Sequence, residues 1–248
     1  MNRIFEVNYA GIPVRYRFRR NSTARYFSGH IRLSASDVFD ISMDDAYFGR
    51  FRKIHPEDVE DDYVEYKGLI YLTATFLLRM NCSIFHAVSF IWKGKAWLLS
   101  GKSGTGKTTQ YQNWKSLFPE EIQMISGDMP LLDLRSGKIL VHPSPWNGKE
   151  GYKGSSSAEL GGIIFLEQGK ENHFRQSSLK ENIFSLFHQF CAVPNDEEEV
   201  TKLSFLIERI LREVPLWTYV NDGTAGSTLI LKEELSSFLR KERQDDQD

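Results

Sequence analysis

Cysteine is scarce in this chain. Cys82 and Cys191 are the only two among 248 residues, and their spacing fits no metal site. That excludes a disulfide framework and points to reduced thiols in a cytoplasmic protein. Net charge is nearly absent as well: 31 Lys and Arg stand against 33 Asp and Glu, for −2. No global field recruits nucleic acid or an anionic membrane, so neither is an expected partner. Long apolar runs are missing. The most apolar stretch, residues 69–78, carries Thr73 and Thr75 and ends at Arg79, well short of the roughly 20 apolar residues a bilayer span needs. Residues 1–6 lack the apolar core of a signal peptide. There is no internal repeat and no Gly/Pro-rich linker, so the length reads as one domain with a peripheral lobe. Apolar residues at 41% and charged ones at 26% are those of a soluble globular chain.

What is present is a phosphate-loop pattern, Gly101-Lys102-Ser103-Gly104-Thr105-Gly106-Lys107-Thr108-Thr109. Residues 96–100 before it read as a buried strand, and residues 110–117 after it as a short helix. Glycines let main-chain N–H groups converge on phosphate oxygens, and the helix N-terminus adds unpaired donors with a partial positive charge. In such a loop Lys107 reaches the β and γ phosphates, and the Thr108 hydroxyl holds Mg²⁺.

Around this loop the chain reads as mixed α/β. Residues 4–18 alternate as an antiparallel hairpin. Its arginines (Arg15, Arg17, Arg19 and Arg20) are either a phosphate surface or a solvated strand face. Residues 21–54 are aromatic-rich and irregular, with a strand near 31–33. The acidic run 57–62 opens a helix through residue 78, broken or not at Gly68. Residues 83–92 and 96–100 form a hairpin around Lys93-Gly94-Lys95, feeding the loop. Residues 122–126 form a strand ending in Gly127-Asp128, whose carboxylate can hold Mg²⁺ or deprotonate a nucleophile. Residues 131–134 and 138–141 make another hairpin. Residues 142–157 read as a mobile loop closing over phosphates or as an ordinary polar loop. Residues 161–166 form a core strand ending in Glu167, which competes with Asp128 for the acidic role. Residues 178–190 are helical with Ile183, Phe184, Leu186, Phe187 and Phe190 on a wide apolar face. Leu203, Leu206, Ile207, Ile210 and Leu211 stripe a second helix. A strand at 214–220, a helix at 228–238 and a frayed charged tail close the chain.

Residues 82–168 resemble the catalytic domain of HPr kinase/phosphorylase and its relatives, whose core is similar to phosphoenolpyruvate carboxykinase. Four features carry the resemblance: His86-Ala87 opening a strand; the form Ser103-Gly104-Thr105-Gly106-Lys107-Thr108; Ser126-Gly127-Asp128 where the family has paired aspartates; and Glu159-Leu160-Gly161-Gly162-Ile163-Ile164. The segment Trp146-Asn147-Gly148-Lys149-Glu150 is similar to that of kinase-like relatives. The resemblance implies that Lys107 and the loop amides bind a nucleoside triphosphate such as ATP, that Thr108 ligates Mg²⁺, joined by Glu159, and that Asp128 deprotonates the acceptor hydroxyl. It sets His86 near the phosphates, where the bland alternative is a buried strand histidine. Gly127 stands where the family has its first aspartate, which weakens metal binding or shifts it to Glu159 or Glu167. The family's long signature after the Gly-Ile-Ile segment is absent, so phosphorylase activity and HPr as substrate do not carry over.

The expectation is therefore a mixed α/β chain with an N-terminal β-rich lobe (residues 1–80), a kinase-like domain with a phosphate loop (81–240) and a frayed tail (241–248). Its expected activity is ATP- and Mg²⁺-dependent phosphoryl transfer to a hydroxyl of a peptide, protein or small molecule. Lys149 or Lys153 neutralises the transferring group. The alternative is a nucleotide-binding sensor or scaffold without catalysis. Homo-oligomerisation is left open. The absence of a Leu-Ser-Gly-Gly signature disfavours a transporter ATPase.

Overall fold

The computed structural model describes residues 4–27, 38–148 and 150–245. The strand expected near 31–33 lies outside them. The chain is mixed α/β, as expected, with a three-stranded sheet near the N-terminus and a nine-stranded mixed sheet.

Strands β1 (Ile4–Tyr9) and β2 (Ile12–Arg17) form the antiparallel hairpin, and β3 (Phe39–Ser42) adds in parallel to β2. Alternation buries Val7, Tyr9, Ile12, Val14 and Tyr16 on one face. The outward arginines are engaged in ion pairs: Arg15 with Glu6, Arg17 with Asp40, Arg19 with Asp45 and Arg20 with Asp61. The solvated-face reading of these charges therefore fits. A short 3-10 helix follows at Asn21–Tyr26.

Helix α1 (Asp45–Lys53) is capped by Asp44. Helix α2 (Asp61–Leu78) runs unbroken through Gly68 with Asp61 and Asp62 in its first turn. Twelve of its 18 residues are buried, as an all-round apolar helix must be. It is the spine between the two sheets: its inner residues share one core with the N-terminal hairpin, Ile84, Met129 and Trp146. Glu65, in its second turn, is fully buried. Its carboxylate accepts from the amides of Arg19 (2.5 Å) and Arg20 (3.2 Å) and from the Thr23 hydroxyl (2.6 Å), which pins the 3-10 segment to the helix.

The large sheet runs β4 (Cys82–Ile84), β8 (Leu131–Asp133), β9 (Leu140–His142), β10 (Ala158–Gln168), β6 (Lys95–Ser100), β5 (Ala87–Trp92), β7 (Ile122–Ser126). Strand β12 (Leu216–Asn221) pairs the second half of β10, and β11 (His173–Gln176) pairs β12. Strands β6, β10 and β12 are parallel, so their carboxyl ends share one edge of the molecule. The β5–β6 hairpin turns at Lys93 and Gly94, both at positive φ (50° and 76°), as a two-residue turn matching strand twist requires.

Helices α3 (Lys107–Leu117) and α6 (Ala225–Asp245) pack against each other on one side of this sheet. On the other side α4 (Leu179–Gln189) and α5 (Glu197–Glu213) form a second pair. The α5 stripe is core: Leu203, Leu206 and Ile210 are buried, each contributing about 1.5–3 kcal/mol on transfer from water. The α4 face is not. Leu186 and Phe190 are buried, but Ile183, Phe184 and Phe187 are exposed. Helix α6 extends past the expected end at residue 238, through Asp245. Cys82 and Cys191 are buried free thiols. Among the described residues no helix is long and apolar enough to cross a membrane.

Candidate functional site

The loop 101–109 leaves the carboxyl end of β6, a strand whose last five residues are buried. Gly101, Gly104 and Gly106 have φ of 138°, 84° and 94°, which residues with a Cβ rarely adopt. A Cβ on Gly101 would also stand 2.8 Å from the Leu166 carbonyl oxygen of β10. Gly106 precedes α3, so the helix begins at Lys107 with its first-turn amides free of side-chain caps. Lys102, Ser103 and Gly104 are exposed, and Thr105 donates its hydroxyl to the Lys102 carbonyl at 2.9 Å. Lys107 is buried, and its ammonium donates to the carbonyls of Gly101 (2.8 Å) and Lys102 (3.0 Å). Burial pushes this ammonium down from its usual range and the nearby Asp128 pulls it up.

Asp128 follows β7 and faces the same cleft as Lys107, Thr108 and Thr109. His86, between β4 and β5, fixes it. The His86 Nε2 lies 3.3 Å from Asp128 Oδ1, and Nδ1 lies 3.0 Å from the Gln189 side-chain oxygen. The backbone clamps the same corner: the His86 amide donates to the Gln189 carbonyl and the Ala87 amide to the Asp128 carbonyl, both at 2.8 Å. His86 thus lines the cleft beside the loop and holds the carboxylate's orientation.

Gly127 has a steric cause. A Cβ there would meet the Tyr152 Cβ and carbonyl oxygen at 2.8 Å and the Asn147 carbonyl oxygen at 3.2 Å. The segment after β9 crosses directly over it. Trp146 and Asn147 are buried, the Gly127 amide donates to the Tyr152 carbonyl at 2.9 Å, and the Gly154 amide to the Ile125 carbonyl at 3.0 Å. Much of the stretch read either as a mobile closing loop or as an ordinary polar loop is packed chain. Lys153 pairs as a β-bridge with Ser126 and is exposed, outside the cleft lining. Lys149 lies outside the described residues.

Glu159 does not reach the loop, which corrects the expected metal role. It pairs with Leu140 at the opposite end of β10, and its carboxylate takes Lys95 at 2.9 Å and Lys138 at 2.6 Å. Those hydrogen bonds, Lys138 first, hold it below the usual carboxylate range. Glu167 is exposed and lines neither cavity beside the loop.

No family model and no curated protein matches the chain. Among solved structures, the Hpr(Ser) kinase/phosphatase from Coxiella burnetii is similar to it at 11% identity with a TM-score of 0.28, over 52% of this chain and 97% of that one. Such a distant likeness leaves residue roles to the local geometry.

The cleft measures about 1120 Å³ and has a second wall that sequence reasoning missed. Arg25, Tyr26 and Phe27 of the 3-10 segment and Tyr63, Tyr66, Lys67 and Tyr71 of α2 face the loop across it. The only signal in the sequence was Tyr63, Tyr66 and Lys67 at three- and four-residue spacing on one helix. A smaller cavity of about 400 Å³ lies on the loop's other side, at the ends of β10 and β12. Thr105, Thr109, Gln168, Lys170, Asn221 and Asp222 line it, the kind of place where parallel sheets bind ligands. Gln110, bonded to Asn221, Ser227 and Thr228, ties α3 to this edge.

Proposed function

We propose that this chain is an ATP- and Mg²⁺-dependent phosphotransferase that moves the terminal phosphoryl group to a hydroxyl. The observation that carries the reading is the carboxylate of Asp128, oriented by His86 in the same cleft as Lys107 and the first turn of α3. Phosphoryl transfer asks a protein mainly for positioning and charge neutralisation.

Each part has a residue for it. Among the described residues the Lys107 ammonium is satisfied only by main-chain carbonyls of its own loop, bonds it can exchange for phosphate oxygens. The exposed amides around Ser103 and Gly104 surround the same space. Asp128 accepts the proton of the attacking hydroxyl, and His86, anchored on Gln189, keeps the acceptor oxygen of that carboxylate turned to the cleft. The nucleoside extends toward the smaller cavity between Thr105, Gln168 and Asn221. Mg²⁺, when bound, would offset the charge of the phosphates. The Thr108 hydroxyl and the cleft carboxylate of Glu150 would hold it. Among the described residues no cluster of three or more His, Cys, Asp or Glu stands ready for a metal. A sparse donor set still fits an ion that keeps several waters and shares its shell with phosphates.

One observation favours the second reading, a nucleotide sensor without catalysis: the neighbour of Asp128 is a glycine with no room for a second carboxylate. Turnover separates the two. Isothermal titration measures Mg·ATP affinity, and mass spectrometry of reactions with small-molecule and peptide hydroxyl acceptors detects ADP with a phosphorylated product. Asp128→Asn should keep ATP affinity within about threefold and lower turnover by about 10² to 10⁴, the range general-base help supplies. ATP binding without any product, or an Asn variant at the wild-type rate, would defeat the kinase reading.

A further inference from the structure

The charges of the cleft do not balance at its second wall. Arg25 is engaged: its guanidinium contacts Glu60 and stands 2.9 Å from Asp62. Lys107 is held by its loop. Lys67 is different. Its ammonium rests over the rings of Tyr63 (5.6 Å) and Tyr66 (5.9 Å), and among the described residues it has no carboxylate partner. Beside it Tyr66 is only 7% exposed, lines the cleft, and makes no hydrogen bond within the described chain. Its ring is buried while its hydroxyl opens into the cleft, where a ligand can take it as a donor.

Both groups line the cleft that also holds Asp128. Burial pushes the Cys191 thiol up to about 12; Asp128 pushes it the same way and Lys67 opposes it. Burial also raises the Tyr66 phenol, and Asp128 adds to the rise. Lys67 and Tyr66 line the same cleft as Asp128.

That arrangement selects a ligand chemistry. A cage of tyrosines draws cations, but here the cage already holds a cation of its own chain. A positively charged acceptor would meet Lys67 and be repelled. An anion would take the ammonium and the Tyr66 hydroxyl as donors, in charge-assisted bonds about twice as strong as neutral ones. The cleft, at about 1120 Å³, exceeds the roughly 300–1,000 Å³ usual for one small ligand, leaving room for an acceptor beside a nucleotide tail.

We propose that Lys67 and Tyr66 form the acceptor subsite and bind an anionic group, carboxylate or phosphate, of a small hydroxyl compound whose hydroxyl then points at Asp128. This rests on the phosphotransferase reading for its reaction, though not for the anion site itself. The hydroxyl oxygen would form the new P–O bond, the bond to the nucleotide's bridging oxygen would break with its electron pair going to ADP, and the hydroxyl proton would pass to Asp128.

Three compounds of one carbon skeleton test it: glycerol, glycerate and glycerol 3-phosphate. Each is titrated into the chain loaded with Mg²⁺ and a non-hydrolysable ATP analogue, and each is then supplied with ATP for product analysis. At least one anion should bind tenfold or more tightly than glycerol, with glycerate against glycerol 3-phosphate telling carboxylate from phosphate. Lys67→Met keeps the aliphatic stem against the tyrosines and should erase that preference, while ATP affinity stays within about twofold. Lys67→Arg should retain most of it, and Tyr66→Phe should lose several-fold. Equal binding of all three, no binding of any, or an unchanged preference in Lys67→Met overturns the proposal. So does a variant that loses kcat with an unaltered acceptor KM. Lys67-dependent anion binding without phosphoryl transfer would leave the subsite standing and sink the kinase reading instead.

Discussion

Replacing Glu65 by glutamine tests how the second wall of the cleft is held in place. The carboxylate is fully buried and accepts three hydrogen bonds: the Arg19 amide on one oxygen, the Arg20 amide and the Thr23 hydroxyl on the other. Glutamine offers one acceptor oxygen and one NH₂. Its cheapest orientation puts the NH₂ toward Arg20, where the bond is longest at 3.2 Å, and lets the Thr23 hydroxyl turn round and accept. One backbone N–H is then left facing a donor, at about 1–3 kcal/mol for an unsatisfied buried group. The two surviving bonds lose charge assistance, about 1 kcal/mol each. Glutamine escapes part of the cost of burying a charge, so the net loss is about 2–4 kcal/mol. For a chain of this size each kcal/mol lowers Tm by about 2–4 °C, giving a fall of roughly 5–15 °C. Thermal melts and urea titrations with unchanged m-value measure it. A Tm within about 2 °C of wild type would refute the reasoning, because the amides of Arg19 and Arg20 would then have found partners elsewhere. Since these bonds anchor the segment carrying Arg25, Tyr26 and Phe27, acceptor KM should also rise while ATP affinity holds.

Lys107→Ala should weaken nucleotide binding by about 10- to 100-fold, the worth of one or two charge-assisted bonds to phosphate, and unchanged affinity in a titration would remove the loop from the site. Gly127→Asp, which restores the family's paired aspartates on paper, should destabilise by about 1–3 kcal/mol through overpacking against Tyr152 and Asn147; a variant as stable as wild type with faster turnover would contradict the crossing geometry. Asp133 governs part of the acid stability. Burial pushes its carboxyl up, but the Arg135 side chain and amide outweigh that and hold it at about 2, below the ordinary 3.8. A folded value below the unfolded one stabilises above the unfolded value and loses that gain as pH falls through the folded one. The loss should therefore run from about pH 4 to pH 2 and amount to roughly 2 kcal/mol. Urea midpoints for wild type and Asp133→Asn should converge across that window, and parallel curves would assign the acid transition to other groups.

The parts of the fold that sequence made legible are those whose signal is local. The strand–loop–helix around Lys107, the Lys93-Gly94 hairpin and the α5 stripe each rest on residues within a few positions of one another, where period and turn chemistry decide. Glu159 misled because its likeness was local while its role depends on where β10 points. Parallel pairing with β6 sets Leu160 beside Ala96 and Phe165 beside Ser100, so the loop end of β10 is its far end. Lys95 and Lys138 then claim the carboxylate. The α4 helix misled in another way. Its apolar residues, from Ile183 to Phe190, outnumber what one neighbouring helix and a sheet face can cover, and Phe184 and Phe187 stay outside, packed on the His188 ring.

Lys67 marks the limit of that kind of reading. In sequence it is an ordinary lysine on the charged first half of a helix, and lysines on helices are usually solvated. Its environment is built from afar: Trp146 packs on the Tyr66 ring at 5.4 Å, and Cys191 lies within reach of its charge. Trp146 is held there by the same segment that crosses Gly127 and excludes a side chain from it. The departure that in sequence looked like a lost metal ligand is, in space, the clearance that lets Asn147 and Tyr152 lie over Gly127 while Trp146 packs on Tyr66 of α2. The braced wall sets a cation, Lys67, across the cleft from Asp128. Filling Gly127 should therefore loosen the grip of Lys67 and Tyr66 on an anion as well as the fold. Anion affinity in Gly127→Ala, measured beside its stability, should fall at temperatures where the variant remains fully folded.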